Sequence, residues 1–313
     1  MSDSRAPISI VIPTYNRRDA LLTCLRHLEE QTWPHFEVLV VDDGSTDGSA
    51  QAVEQYRIHS HLQIRCLSQE NNGPARARNL GISQSQGPIC LMIGDDIFCS
   101  PKLVETHLRL HQQRPELGVG ALGLTCWSDS GQTLTPFMRW LDESGEQFLY
   151  HELLKGLRPD WKHFYTSNLS MKTELLRRYP FDETFKAAAM EDIELGYRIH
   201  MRHGLEIVFL PEALAHHLHP TSFQQACRRS FKAGFSAHRF HEIWPEQKLP
   251  RKSVPTRMVH RLLWRYPWLL ASATAPVGLL TDFCCPNPLM RLVLGMHYRM
   301  GYLTRASERY TAG

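Results

Sequence analysis

The stretch Ile89-Cys90-Leu91-Met92-Ile93-Gly94-Asp95-Asp96 decides how the chain folds, because an apolar run breaks off into two adjacent carboxylates. Consecutive apolar residues without polar alternation suit a strand covered on both faces, as in a parallel sheet packed between helices. Ionised carboxylates at a buried strand end are costly unless solvent, a basic partner or a metal takes them up. Their oxygens are hard ligands suited to Mg²⁺ or Mn²⁺, ions that often share their shell with phosphate. The plainer alternative is a strand-end turn with two solvated aspartates.

Working outward, the same alternation of periods fills the first third of the chain. Strands are expected at 8–12, 36–41, 62–67 and 89–93, and helices at 17–31, 47–56, 75–83 and 101–113. Leu21, Leu22, Leu25 and Leu28 recur at helical spacing, Ser45 or Thr46 is placed to cap the second helix, and Pro101 suits a first helical turn. Strands alternating with helices across short links imply parallel strands and right-handed crossovers. Ligands of such sheets sit outside the carboxyl ends of the strands. Three loops lie there: Pro13-Thr14-Tyr15-Asn16, Asp42-Asp43-Gly44-Ser45 and Gly94-Asp95-Asp96. They should meet at one edge.

Beyond residue 117 the pattern loosens. Strands are expected at 119–125 and 164–171, a helix at 190–202, short strands at 206–210 and 213–217 around Pro211, and a helix at 223–238. From about 244 onward, proline breaks and Trp/Tyr/Arg clusters make the chain hardest to read.

Composition narrows the function classes. The chain has 313 residues, enough for a sizeable core, and its net charge of +3 does not suggest a general nucleic-acid binder. Residues 1–7 carry no signal-peptide pattern, and the 8 cysteines show no paired metal-ligand spacing, so a cytoplasmic protein with reduced thiols is expected. The apolar stretch 268–280 is too short and interrupted for a confident membrane span. Between 228 and 265, however, Lys and Arg greatly outnumber Glu242 and Glu246, and Arg257, Arg261, Trp264, Arg265, Tyr266 and Trp268 mix cations with amphipathic aromatics. Two readings stand open: a packed helix with a solvated basic face, and peripheral contact with the anionic inner face of a membrane.

Four further groups of residues invite chemistry. No Gly-x-Gly-x-x-Gly or P-loop follows an early strand, which weakens dinucleotide and ATPase readings. Asp42-Asp43 ends the second strand, where a carboxylate can accept a base N–H or a ribose hydroxyl; a turn and helix cap would use the same residues. Gly73-Pro74 opens a helix with free N–H groups, and Arg78 follows one turn later, able to face a phosphate or the carboxylates, or simply solvated. Glu191-Asp192 opens another helix, where the dipole alone favours acids, or where Asp192 serves as general base. In His216-His217-Leu218-His219, an imidazole could ligate a metal, though a lone histidine is more often structural.

Taken in order, these segments resemble the family 2 glycosyltransferases over about 8–234. The carriers are Val11-Ile12-Pro13-Thr14-Tyr15-Asn16-Arg17, Val41-Asp42-Asp43-Gly44-Ser45-Thr46-Asp47, Asn72-Gly73-Pro74-Ala75-Arg76-Ala77-Arg78-Asn79 and Gly94-Asp95-Asp96. Downstream, Ser167-Asn168-Leu169-Ser170, Phe181-Asp182-Glu183 and Glu191-Asp192-Ile193-Glu194-Leu195-Gly196-Tyr197-Arg198 complete them. The resemblance implies the α/β fold called GT-A, with a mostly parallel, Rossmann-like central sheet flanked by helices. It implies a transferase domain over 1–240, with a nucleotide-sugar half at 1–116 and an acceptor half at 117–240. A helical C-terminal extension would fill 241–313.

The activity so implied is inverting, metal-dependent transfer of a sugar from a UDP, GDP or dTDP sugar to an acceptor hydroxyl. The acceptor would be a sugar or a lipid-linked molecule, in glycan, polysaccharide or glycolipid synthesis. Pro13, Thr14, Tyr15, Asp43, Arg78 and Asp95 would bind the donor, Asp96 and His217 the Mn²⁺ or Mg²⁺, and Asp192 would be the catalytic base beside the acceptor-side Glu191. His216 and His219 are the lesser candidates for the imidazole ligand. Many relatives carry an aspartate where Ile93 stands, so the motif here is Gly-Asp-Asp. Two carboxylates suffice, because neighbours at a strand end point different ways. A nucleotidyltransferase and a catalytically silent sugar-nucleotide-binding scaffold are the rival readings.

Overall fold

The computed structural model describes residues 7–127, 132–187, 189–247, 267–281 and 287–304. It opens with β1 (Ile8–Thr14), α1 (Arg18–Glu29), β2 (Glu37–Asp42), α2 (Ser49–His59), β3 (Gln63–Ser68), α3 (Pro74–Gln84) and β4 (Ile89–Ile93). As the alternation requires, β1 pairs in parallel with both β2 and β4, and β2 with β3. Alternate residues of each strand enter opposite cores. Ile8, Ile10, Ile12, Val38 and Val40 pack with Leu21, Leu25 and Leu28 of α1 on one face. Val11, Leu39 and Met92 pack with Ala75 and Ile82 of α3 on the other. Burial on both faces is the reason these strands read as unbroken apolar runs.

The helix start at Ser45 or Thr46 is corrected. α2 begins at Ser49 after Gly48, and the side chain of Asp47 accepts from the Ser49 N–H at 3.0 Å. Ser45 and Thr46 are instead engaged with Asn16 across the loop. The Ser45 hydroxyl accepts from the Asn16 N–H at 2.8 Å, and Asn16 Oδ1 accepts from the Thr46 N–H at 2.7 Å.

After β4 come β5 (Ile97–Cys99), α4 (Leu103–Gln113), β6 (Val119–Trp127), α5 (Pro136–Glu143) and α6 (Tyr150–Leu154). Next are a 3₁₀ turn (Trp161–His163), β7 (Asn168–Lys172), α7 (Thr173–Arg178), α8 (Glu191–His203) and β8 (Glu206–His217). The sheet order is β3-β2-β1-β4-β7-β6-β8-β5, with β7 antiparallel to both β4 and β6. The fold is α/β with a mixed sheet flanked by helices. Two short strands around Pro211 are not found: β8 runs through it. The pairing of β6 with β8 shifts register between Gly123 and Thr125, so Pro211 falls in the unpaired bulge where its missing N–H costs nothing.

The buried polar interior of β7 has a definite architecture. Ser170 Oγ lies 2.8 Å from His107 Nδ1 and 2.9 Å from His111 Nε2, both on α4. His107 Nε2 meets Asn168 Oδ1 at 2.9 Å, and Asn168 Nδ2 donates to the Ala213 carbonyl at 2.8 Å in the bulge. Every member is paired, as a buried polar network must be to be tolerated.

The chain divides into two compact units, residues 1–132 with 144–219, and residues 133–143 with 220–313. The second unit holds α5, α9 (Phe223–Ile243), α10 (Pro267–Leu280) and α11 (Asn287–Leu303). The expected limit at 240 thus falls inside α9. In this unit α9 and α11 approach backbone to backbone, for a Cβ on Gly234 would run into Tyr298 and one on Gly301 into Phe231. The Ser230 hydroxyl donates to the Leu294 carbonyl at 2.8 Å across the same contact. Among the described residues, no helix is long and apolar enough to cross a membrane.

Candidate active site

The first unit contains every residue singled out for donor, metal or base. Its three strand-end loops are joined to one another by hydrogen bonds. The Asp43 N–H donates to the Thr14 carbonyl at 2.9 Å, and the Thr14 hydroxyl donates to Asp95 Oδ2 at 2.8 Å. Pro13 belongs to β1 opposite Val41. Tyr15 leaves 47 % of its surface exposed at the rim, whereas Thr14, Asp43, Asp95 and Asp96 are all buried.

Asp43 organises the next loop. Its Oδ1 accepts from Gln69 Nε2 at 2.7 Å and from the Asn72 N–H at 2.9 Å, and its Oδ2 accepts from the Gly73 N–H at 2.9 Å. Gly73 has φ +91°, and a Cβ there would stand 2.8 Å from the Lys186 carbonyl oxygen, so only glycine fits. With three donors already on it, the Asp43 carboxylate keeps room for about one more.

Asp95 and Asp96 leave β4 in different directions and meet different partners. Asp96 Oδ2 lies 3.1 Å from His217 Nε2 at the end of β8, and 3.7 Å from His219 Nδ1. His217 is itself packed against Trp127, with ring centroids 4.7 Å apart. His216 points elsewhere, with Nδ1 3.7 Å from Cys126 Sγ. Arg17 reaches both carboxylates, with Nη1 at 3.3 Å from Asp95 Oδ1 and 2.8 Å from Asp96 Oδ2. Burial raises the proton affinity of both acids. At Asp96 the charges of His217, Arg17 and His219 overcome it and hold the carboxyl below its ordinary range. At Asp95 burial and the neighbouring Asp96 prevail over Arg17 and Thr14, and the carboxyl is raised.

Sequence reasoning gave Arg17 no role. Its signal was present, as a cation just past the loop that ends β1, but nothing local tells which carboxylate it reaches.

Asp192 is positioned by Met190, which takes a left-handed φ of +71° and turns the chain sharply into α8. Glu191, beside it, is buried and accepts from Arg78 Nη1 at 2.8 Å. Arg78 also lies over the Phe181 ring at 5.6 Å. Arg78 thus faces a carboxylate, which ties α3 to the start of α8. Asp192 stays half-buried, and burial together with Glu191 pushes its carboxyl up to about 7, against the pull of Arg78. Tyr150 and Tyr165 lie close enough that the Asp192 charge adds to burial in raising both phenols.

Among the described residues, no set of three or more His, Cys, Asp or Glu forms a metal-ligating cluster. The donor chemistry nevertheless fits a divalent ion completed by phosphate. A buried carboxylate and an imidazole stand together at 3.1 Å, and a guanidinium already occupies a cation's place against the carboxylate.

Comparison with known proteins agrees with this architecture. The chain is 28% identical over 179 residues to glycosyltransferase GlyG of Streptococcus pneumoniae, covering 56% of this chain and 58% of that protein. It is 31% identical over 232 residues to validoxylamine A glucosyltransferase of Streptomyces hygroscopicus subsp. jinggangensis, covering 66% of this chain and 54% of the relative. The chain therefore spans about half the length of these curated relatives. Among solved structures, the mannosyltransferase PcManGT of Pyrobaculum calidifontis, in complex with GDP-Man and Mn²⁺, matches 96% of this chain and 86% of its own. The TM-score is 0.62 at 17% identity, a likeness of fold. The S. aureus TarS 1-349 fragment, also solved with UDP-GlcNAc, gives a TM-score of 0.52 at 16% identity, covering 94% of this chain and 90% of its own. The family model described as Glycosyl transferase family 2 matches residues 9–183, more than half of the chain, and the chain belongs to that family.

Proposed function

We propose that the protein is an inverting glycosyltransferase that moves a sugar from a nucleoside-diphosphate sugar to an acceptor hydroxyl, with a divalent cation held at Asp96 and His217. The observation that carries this reading is Asp96 at the end of β4, set against His217 at 3.1 Å and Arg17 at 2.8 Å. Known nucleotide-sugar complexes of the fold neighbours support it, and family membership favours sugar transfer over nucleotidyl transfer or a silent scaffold.

Tyr15 and Pro13 frame the nucleoside at the rim, and the remaining lone pair of Asp43 accepts from the base. Asp95, held by Thr14, accepts from a ribose hydroxyl. Asp96 and His217 would hold a Mn²⁺ or Mg²⁺, which would supply positive charge to balance the departing diphosphate. Asp192 takes the proton of the acceptor hydroxyl while that oxygen bonds to the anomeric carbon. The bond from that carbon to the diphosphate oxygen breaks on the opposite face, its electron pair leaving with the nucleoside diphosphate. One displacement inverts the anomeric centre. Glu191 holds Arg78 on the donor side and raises the proton affinity of Asp192 toward neutrality, where a general base is most useful.

Calorimetric titration of UDP and GDP with and without Mn²⁺ tests the reading. Wild type should bind one nucleotide more tightly with Mn²⁺, and Asp96→Ala should lose that increment. Nucleotide binding indifferent to both metal and Asp96 would remove the metal site. Donor hydrolysis without acceptor then identifies the sugar.

For the acceptor, the second unit supports a lipid-linked molecule met at a membrane surface. Leu279 is 72% and Leu280 45% exposed at the end of α10, and the stretch 228–268 before them is basic and aromatic. Residues 257–266 of that basic cluster lie outside the described residues. Flotation with anionic vesicles should carry the protein upward; protein left at the bottom of the gradient would dispose of membrane contact.

A further inference from the structure

We propose that Arg17 occupies the cation position between Asp95 and Asp96 when no divalent ion is bound, so that metal enters together with the nucleotide diphosphate rather than ahead of it. The inference rests on the metal-dependent reading above and adds an order of binding to it.

Arg17 makes three contacts, each to a residue of the site. Nη1 bridges Asp95 Oδ1 at 3.3 Å and Asp96 Oδ2 at 2.8 Å, while Nη2 lies 2.8 Å from His219 Nδ1. Asp96 Oδ2 is the same oxygen that faces His217 Nε2 at 3.1 Å. A divalent ion and a guanidinium would compete for this oxygen, and two cations so close repel strongly away from bulk water. One must yield.

The geometry says which can. The Arg17 backbone follows Asn16, whose N–H and side chain are pinned to Ser45 and Thr46 at 2.8 and 2.7 Å, so the main chain is anchored. The Arg17 side chain is 32% exposed and has a route into solvent. Arg78 offers the contrast, for its side chain is 10% exposed and locked on buried Glu191. A diphosphate arriving with the ion provides the oxygens that a guanidinium binds best, so the donor draws Arg17 off the carboxylates as the metal takes them. A metal arriving alone finds no such replacement partner.

Mn²⁺ titrations followed by the paramagnetic signal of the free ion test this, with and without UDP or GDP. Wild type should bind Mn²⁺ weakly alone and at least about tenfold more tightly with nucleotide. Arg17→Gln should bind Mn²⁺ alone about tenfold more tightly than wild type, with a smaller nucleotide increment. Arg17→Lys, which keeps the charge, should stay near wild type, and Arg17→Met should repeat the glutamine result. A thermal melt of each variant verifies the fold. Should wild type take up Mn²⁺ with nucleotide while Arg17→Gln and Arg17→Met bind it alone no better than wild type, Arg17 is not the placeholder and the metal site stands. If wild type takes up no Mn²⁺ even with nucleotide, the metal reading fails and this inference with it.

Discussion

The two halves of the sheet handle polar groups in opposite ways. In β3-β2-β1-β4, the groups that build the site gather at the carboxyl ends, at Thr14, Asp42, Asp43, Asp95 and Asp96. The strands between are mostly apolar, apart from the buried Ser9–Glu37 pair near the amino ends of β1 and β2 and the polar residues of the edge strand β3. In β7-β6-β8-β5, polar groups sit inside the strands. Asn168 and Ser170 are fully buried and bound to two buried histidines of α4. A carboxylate at the rim keeps some partners that reach solvent, such as Arg17 and Gln69, whereas a change inside β7 strands its partners in the core. Rim substitutions should therefore cost function, and interior ones stability.

The largest effect expected is at Asp192. Asp192→Asn keeps shape and removes the base, so kcat/KM should fall about 10²–10⁴-fold, while calorimetric nucleotide affinity holds and the protein stays folded. Because burial and Glu191 push the Asp192 carboxyl up to about 7, wild-type kcat/KM should also decline as pH drops through neutrality. Unchanged turnover in the variant would take Asp192 out of the reaction. A collapse in stability would break the division between rim and interior.

Asp43 tests the boundary between the two classes. It lies at the rim yet accepts from Gln69, Asn72 and Gly73, so it both faces the donor and holds the loop. Asp43→Ala should cost about 3 kcal/mol of stability and weaken nucleotide binding as well, since hydrogen bonds to a charged group are the stronger ones. Loss of binding alone would show that the loop stands without it.

Inside β7, Ser170→Ala leaves His107 Nδ1 and His111 Nε2 without their shared partner. About 2 kcal/mol should be lost in urea denaturation, with kcat of the folded fraction near wild type. A stability loss below about 0.5 kcal/mol would mean that water enters and satisfies both rings.

The same division explains what could be read in advance. For β1 to β4, each strand lies within a few residues of the helix that crosses back, so local periodicity carries the topology, and the loops that meet could be named. In the other half, Ser170 finds its partners near residue 107, Asn168 closes a bulge at Ala213, and β5 is a three-residue strand whose partner is β8. No window of sequence contains those pairs. At the site, Asp43, Asp95, Asp96 and Asp192 are legible by type and position, whereas Arg17 on Asp96 and Arg78 on Glu191 depend on contacts 79 and 113 residues apart. Ser167-Asn168-Leu169-Ser170 was legible as a pattern, though not as what it is, the polar lining of a core.

Acid titration offers the finest test, because rim and interior drive stability in opposite directions. Burial pushes His107 down to about 4, and burial with the Lys172 and His107 charges pushes His111 down to about 3. Both folded values lie below the ordinary 6.5, so the unfolded chain binds more protons and stability is lost as pH falls below that value. Asp192 has the reverse sign. Its folded value of about 7 exceeds the ordinary 3.8, so the folded protein binds more protons and gains stability as pH falls through neutrality. Asp95, also raised, adds to that gain. Between pH 7 and 6 each of these groups should contribute about 1 kcal/mol, a loss from the histidines and a gain from Asp192 and Asp95. Asp192→Asn removes the contribution of the carboxyl at the start of α8 and leaves the histidines, so its urea midpoint should fall more steeply over that unit, by about 1 kcal/mol in stability. Parallel profiles for wild type and variant would mean that the Asp192 carboxyl keeps its ordinary affinity for protons, and the case for a base tuned by Glu191 would go with it.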